Sequence, residues 1–376
     1  MKNILITGGA GFIGSNLTKS LVSKGYKITI LDNLSKQIHG DNQNSDLYQS
    51  IKNISTFILG DVRKKEDWEK AINGQDAIIH LAAETGTGQS MYEIENYSTV
   101  NILGTSYLLD ILANKGHSIR KVILASSRAV YGEGKYKCKN HGIVFPDKRE
   151  HENLKNDKFD PICIRCKKEL ELVPTDEESK IHPMSIYGIT KQLQEQMVML
   201  MGKSLNIPTV ALRYQNVYGP GQSLSNPYTG ILSIFSTRIL NGNNVDIYED
   251  GLESRDFVYI DDVVEATVLA LEKNQANYEV FNVGSGVATT VNEVAKTLKK
   301  LYNSDIEILV DGKYRDGDIR HNFADLNKIN RVLGFNPKYK ITKGISNFVD
   351  WVKTQEIQKD NYEKSILELR NKGLIK

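Results

Sequence analysis

Cysteine is scarce: three residues in a chain of 376. That supply is too thin and too uneven for a disulfide framework, and it suits a reducing cytosol. Charge of one sign is missing as well. Forty-eight basic residues against 46 acidic ones leave a formal net charge of +2, which gives no electrostatic case for nucleic acid or an anionic membrane. No window approaches the run of about 18 apolar residues that a membrane span needs. The opening "MKNILITGGAGFIG" passes straight into an apolar strand and a glycine turn. It shows neither the longer apolar stretch nor the small-residue cleavage site of a signal peptide, so a cytoplasmic protein is expected.

The hydrophobic fraction of 40% and the charged fraction of 25% are those of an ordinary globular protein with a sizeable core. Short apolar runs at 3–7, 27–32, 54–59, 76–82, 121–126 and 209–213 alternate with helical patterns, among them 12–24, 90–115 and 184–203. Strands apolar on both faces and separated by helices predict an α/β fold with a doubly wound parallel sheet of the Rossmann type. This first domain is expected over 1–214. Residues 133–182 break its rhythm with a polar, lysine-rich stretch that has no sustained period. A loop of some fifty residues inside a compact domain needs a structural reason or is disordered. A smaller mixed α/β substrate domain is expected over 215–355, with segments returning to the main sheet. A charged tail, 356–376, reads as a peripheral helix.

"TGGAGFIG" places Gly8, Gly11 and Gly14 between the first strand and a helix that opens with Phe12 and Ile13. The glycines allow a tight turn and let a pyrophosphate approach the helix N-terminus, where free N–H groups and the dipole favour an anion. Asp32 closes the second strand and is followed by Asn33. A carboxylate there accepts hydrogen bonds from ribose hydroxyls and repels a 2′-phosphate, so NAD is expected rather than NADP. Asp61 and Val62 follow the third strand and are expected beside the adenine. Leu81, Ala82 and Ala83 end the fourth, near the cofactor's phosphates and nicotinamide ribose.

"SIYGITK" puts Tyr187 and Lys191 on one helix face. A phenol with a reference pKa near 10 is a poor base at neutral pH, but a nearby ammonium and a positively charged nicotinamide both favour the phenolate. Tyr187 can then take a proton from a sugar hydroxyl while hydride leaves the same carbon. Ser127, at the end of the fifth strand, is expected to hydrogen-bond that hydroxyl. A Tyr-x-x-x-Lys pair alone means little; its order on a nucleotide-binding sheet carries the weight.

Taken together, "TGGAGFIG", "GDVR", "HLAA", "SSRAVYG", "YGITK", "RYQNVYGPGQ", "RDFVYIDDV" and "RDGDIRH" resemble the extended short-chain dehydrogenases/reductases, in the group of nucleotide-sugar epimerases and dehydratases. The resemblance covers about residues 1–350. It implies Ser127, Tyr187 and Lys191 as catalytic residues, Tyr187 and Lys191 also touching NAD. It further implies Asn216 against the nucleotide sugar, and Arg255 and Arg315 on its diphosphate, for which a planar guanidinium fork is well suited. A homodimer through the helices at 90–115 and 184–203 is a family expectation too.

Absences narrow the reaction. Dehydratases of the group carry Asp-Glu after the serine and decarboxylases keep the Glu, whereas here Arg128 and Ala129 follow Ser127. The cysteine of the 3,5-epimerases is absent from the active-site motifs, and Asp32 argues against an NADP reductase. Transient oxidation, turning of the keto-sugar and return of hydride remain: a nucleotide-sugar 4-epimerase. "HLAAETGTGQSMYEI" and the insert resemble the dTDP-L-rhamnose 4-epimerases, which form dTDP-6-deoxy-L-talose. A UDP-hexose or UDP-N-acetylhexosamine 4-epimerase and a CDP-sugar 2-epimerase stay as alternatives. So does a catalytically silent NAD-binding sensor or scaffold, although such proteins usually lose the Tyr or the Lys.

All three cysteines lie in the insert. Cys138-x2-His141 and Cys163-x2-Cys166 have the spacing of two ligand pairs of a closed, structural zinc site. His151 is a second candidate for the histidine ligand, and three incidental thiols are the bland alternative. Such a staple would order a segment too polar to fold by apolar burial and would stand at the rim of the sugar pocket or against a partner subunit.

Overall fold

The computed structural model describes residues 1–40, 45–228, 230–315 and 317–375. Strands β1 (Asn3–Thr7), β2 (Lys27–Asp32), β3 (Thr56–Leu59), β4 (Ala77–His80) and β5 (Lys121–Ser127) are separated by helices. Three short strands follow in the insert: β6 (Tyr136–Cys138), β7 (Gly142–Val144) and β8 (Glu171–Leu172). Beyond them come β9 (Thr209–Tyr214), β10 (Asn216–Tyr218), β11 (Val245–Ile247), β12 (Ser254–Tyr259) and β13 (Glu279–Val283). The seven-stranded main sheet has the order β13-β9-β5-β4-β1-β2-β3, and every neighbour pair is parallel. This is the expected Rossmann-type doubly wound sheet. Chain order reverses between β1 and β4, which opens a crevice outside their carboxyl ends.

Alternation along the strands explains why both faces carry a core. Ile4 and Ile6 of β1 pack into one hydrophobic cluster, while Leu5 between them packs into the other. Each fully buried side chain of this size contributes on the order of 1.5–3 kcal/mol, so neither face can be left bare. α1 (Phe12–Ser23) buries Leu17 and Leu21 on the first face. The helix Gly104–Asn114 buries Leu108 and Leu112 on the second.

Three segments depart from the sequence pattern. The helix expected over 90–115 is a series of short turns running into a π-helical stretch, Ser98–Leu103, before regular helix resumes at Gly104. The insert is ordered into an antiparallel sheet β7-β6-β8 with a short helix His151–Lys155. The charged tail holds the helix Tyr362–Asn371, whose Tyr362, Ile366 and Leu369 pack in a cluster against Tyr92, Ile234 and Tyr248; Lys376 lies outside the described residues.

One buried ion pair fastens the long helix Ile186–Ser204 to the sheet. Arg213 of β9 donates from Nη2 to Glu195 Oε1 at 2.5 Å and from Nε to Glu195 Oε2 at 3.0 Å. Ser126 of β5 donates to the same carboxylate at 2.6 Å. Arg213 also reaches the Tyr131 hydroxyl at 2.7 Å, which itself donates to Asn282 of β13 at 2.8 Å. Removing one charge strands the other out of water. Glu195→Ala is expected to destabilise the protein by about 3–5 kcal/mol in urea melts, and the double change Glu195→Leu with Arg213→Met by clearly less than that.

Candidate active site

The crevice at the reversal point is a cavity of about 490 Å³. Its floor is the glycine turn. Gly8 has φ +67°, and a Cβ on it would stand 2.8 Å from the backbone N of Ala82. A Cβ on Gly14 would stand 2.4 Å from the carbonyl oxygen of Gly8. Helix α1 therefore begins in near contact with the turn, its first turn carries no acidic side chain, and its free N–H groups face the cavity floor as an anion site. Gly11, Phe12 and Ile13 line the same floor, and Leu81, Ala82 and Ala83 the wall after β4.

Asp32 lines the cavity and is buried. Burial lifts its carboxyl above the usual range, and N–H groups of Leu34 and Ala10, both at 2.9 Å, partly offset this, as does His39. Asn33 also lines it and donates to Asp61 at 3.2 Å. The Asp61 carboxylate is spent on Arg63, at 2.7 and 3.0 Å. Despite partial burial, that pairing and the Asn33 contact hold it down at about 2. Its neighbour Val62 lines the cavity.

At the other end the structure brings together Ser127, Tyr187 and Lys191, which all line the cavity. Ser127 is the last residue of β5, and its hydroxyl accepts from Ala129 N at 3.1 Å. Ser185 caps the helix carrying Tyr187 and Lys191 by accepting from Gly188 N at 3.1 Å. Burial pushes the Tyr187 phenol up, while a hydrogen bond with Ser127 and the charge of Arg128 draw it back. Lys191 donates to the Ala125 carbonyl at 2.9 Å, and burial lowers it to about 7.

The supporting residues went unseen in the sequence. Asn101, in the π-helical stretch, accepts from Glu84 N at 2.8 Å and donates to Glu84 O at 3.1 Å and to Thr190 at 2.9 Å. It thereby fixes the loop after β4 against the helix that carries Tyr187 and Lys191, and π-bulges are frequent at functional sites. Arg128 lines the cavity and donates through Nε to Asn216 Oδ1 at 3.1 Å. An irregular helix and the residue after a serine leave no periodic trace to read.

Arg255 and Arg315 stand elsewhere. Arg255 bonds the carbonyls of Ser254, Arg320 and Ile319 and pairs with Asp318 at 3.0 Å. Arg315 stacks 4.8 Å over the Tyr248 ring. Burial opposes charge on Asp318, yet Arg255, Arg315, Arg149 and Arg128 together hold its carboxyl below the usual range.

In the insert, ligand atoms of Cys138, His141, Cys163 and Cys166 all lie within 4.8 Å of one another. Tetrahedral zinc, with bonds of about 2.3 Å to sulfur and 2.0 Å to nitrogen, sets sulfurs ~3.8 Å apart and sulfur–nitrogen ~3.5 Å apart. The Cys138–Cys166 sulfurs are at 3.6 Å, and His141 Nδ1 is 3.5 Å from Cys138 and 3.4 Å from Cys163. The thiols are free. N–H groups of Cys166 and Arg165 favour the Cys163 thiolate and help bring its pKa down to about 6. His151 packs against Tyr314 instead. The insert docks through Glu133, which accepts from Arg320 N and His321 N at 2.8 and 3.1 Å, and through Arg149, paired with Glu249 at 2.8 Å.

The fold and the cavity identify a class, and comparison of the chain with known proteins fixes it. Residues 4–157 and 166–284 match the NAD dependent epimerase/dehydratase family, and the chain belongs to that family. It is 36% identical over 362 residues to the dTDP-L-rhamnose 4-epimerase of Burkholderia thailandensis, covering 96% of this chain and 97% of that one. The UDP-glucose 4-epimerase of Thermotoga maritima, solved with UDP-glucose, superposes with a TM-score of 0.76 at 31% identity, covering 93% of this chain and 98% of that one. The Thermus thermophilus UDP-glucose 4-epimerase, solved with NAD, gives 0.72 at 26%, covering 94% and 100%. No helix among the described residues is long and apolar enough to cross a membrane.

His80 lies beneath this site, its ring bonded to Thr7 at 2.7 Å and Thr105 at 3.1 Å. Burial first, then the Lys191 charge, lower it to about 3. The unfolded chain takes up a proton near pH 6.5 that the folded one refuses, so this group's stability is full above that pH and drains as pH falls towards 3. Between pH 6 and 4 the wild type is expected to lose stability more steeply than His80→Gln, read from urea midpoints.

Proposed function

We propose that the protein is an NAD-dependent 4-epimerase converting dTDP-L-rhamnose into dTDP-6-deoxy-L-talose. The convergence of Ser127, Tyr187 and Lys191 on the glycine-floored cavity carries this reading. The Burkholderia thailandensis relative supports the choice of sugar. Gly8, Gly11, Gly14 and the α1 N-terminus would hold the cofactor's pyrophosphate, and Asp32 its adenosine ribose. Bound there, the cofactor supplies a hydride acceptor that becomes the donor on return. Tyr187 takes the proton of the sugar hydroxyl, Ser127 orients that hydroxyl, and Lys191 adds positive charge when protonated. Residues 128 and 129 offer no acid and base for eliminating water. The keto-sugar turns within the cavity, and Tyr187 gives the proton back after hydride reaches the opposite face. Asn216 would face the substrate; contact of Arg255 or Arg315 with its diphosphate would require their present bonds to Asp318, backbone carbonyls and the Tyr248 ring to be exchanged. Relatives acting on UDP-glucose support a UDP-hexose 4-epimerase as the second reading.

We also assign a structural zinc ion to Cys138, His141, Cys163 and Cys166. Four protein ligands leave no open position for chemistry, and the ion would fix the chain between Ser127 and Tyr187.

Incubation with dTDP-L-rhamnose and, separately, UDP-galactose, followed by NMR of the sugar ring, decides the substrate. Turnover of the first alone is expected, and inertness towards it sinks the reading. Tyr187→Phe should lower kcat by about 10²–10⁴-fold while leaving bound NAD in place. Protein purified without a histidine tag should contain about one zinc per chain and lose it in Cys163→Ser. Below a few tenths of an equivalent, the metal assignment fails.

A further inference from the structure

Arg128 entered the sequence reading only as the absence of an acid. It opens the short helical turn Arg128–Tyr131 that continues from Ser127, and it lines the cavity together with Tyr187 and Asn216. Its one hydrogen bond among the described residues, from Nε to Asn216 Oδ1, sets the plane of the guanidinium. No carboxylate among the described residues forms an ion pair with it; burial, then the charge of Arg255, lower it to about 10 against the partial support of Asp318 and Glu133. A buried cation that shares one carboxylate, Asp318, with three other arginines is poorly compensated, and such sites cluster where chemistry uses the charge.

The groups around Tyr187 show what that use is. From the end of β5 comes the Ser127 hydroxyl, and from the helical turn that follows it the Arg128 guanidinium. From the helix before the π-helical stretch comes the Tyr97 ring, edge-on at 6.4 Å, with Glu84 and Glu93 beyond it. Lys191 lies one turn along its own helix, bonded to the Ala125 carbonyl. The carboxyls disfavour a phenolate. Lys191, lowered to about 7, is charged in only part of the population at neutral pH. Arg128 is the cation that stays charged throughout the working range.

We propose that Arg128 is a positioning residue for the epimerisation: oriented by Asn216, it supplies the standing positive charge against which Tyr187 holds its phenolate. This rests on the 4-epimerase reading. In the forward half-reaction the sugar O–H bond breaks and its proton goes to the Tyr187 oxygen. The C–H electron pair leaves as hydride to the cofactor, and both return in the second half. Arg128 neither gains nor loses a proton.

Because the charge favours the phenolate, its removal raises the pH at which Tyr187 ionises. Arg128→Met is expected to move the acid limb of the kcat profile up by about one unit. That shift is a loss of roughly tenfold at neutral pH, with KM changed less than about threefold. Arg128→Lys should restore most of the profile. Arg128→Gln, which keeps a donor near Asn216, serves if the methionine variant folds poorly. Near-ultraviolet phenolate titration, each protein minus its Tyr187→Phe counterpart, reads the same shift without turnover. If both limb and titration coincide with wild type, or only KM rises, the proposal is overturned. If the wild type turns over no nucleotide sugar, the substrate reading fails while the titration still decides the role of Arg128.

Discussion

The reacting end of this protein depends on the buried Arg213–Glu195 pair. The residues that converge there come from β5 and from a helix some sixty positions later, with a polar insert between them. Apolar packing presses that helix onto the sheet but tolerates sliding. Two charge-assisted hydrogen bonds of fixed geometry do not. Because Ser126 joins the same carboxylate, the position of the helix is set relative to the residue next to Ser127. Asn101 does the same from the opposite side through Thr190.

The nucleotide end has a different logic, steric rather than electrostatic. Gly8 and Gly14 leave no room for a Cβ, so the turn, α1 and the loop after β4 approach closely enough to present backbone N–H groups to an anion. Its stiffness follows from backbone packed on backbone, with Asp32 and His39 as ionisable groups beside it. At the chemical end burial pushes Tyr187 up and Lys191 down. The site therefore works against desolvation, and a standing cation such as Arg128 has value there.

The insert has little apolar material, yet Leu154 and Phe159 pack with Tyr314 in a small cluster of their own. Four ligand atoms gather within 4.8 Å, while Glu133 and Arg149 tie it to the chain beyond residue 248. That chain includes Asp318, the carboxylate that four arginines surround. The insert is thus held to the chain on both sides of residue 300 rather than hanging free.

How much of this was legible follows from the range of each interaction. Strand positions, the glycine turn, Asp32, the Tyr-x-x-x-Lys face and the two ligand pairs are local patterns. Short runs apolar on both faces, a four-residue step and a two-residue spacing are written in neighbouring positions, so the sequence alone determined them. It could not place Arg255, whose donors are consumed by carbonyls far along the chain, nor reveal Asn101 inside a π-helical turn. Nor could it show that Arg128, next to Ser127, faces the cavity and shares the Asp318 charge with three other arginines. Those outcomes depend on which distant groups arrive at the same point, and only the tertiary structure decides that, because burial and charge pairing are properties of the assembled interior.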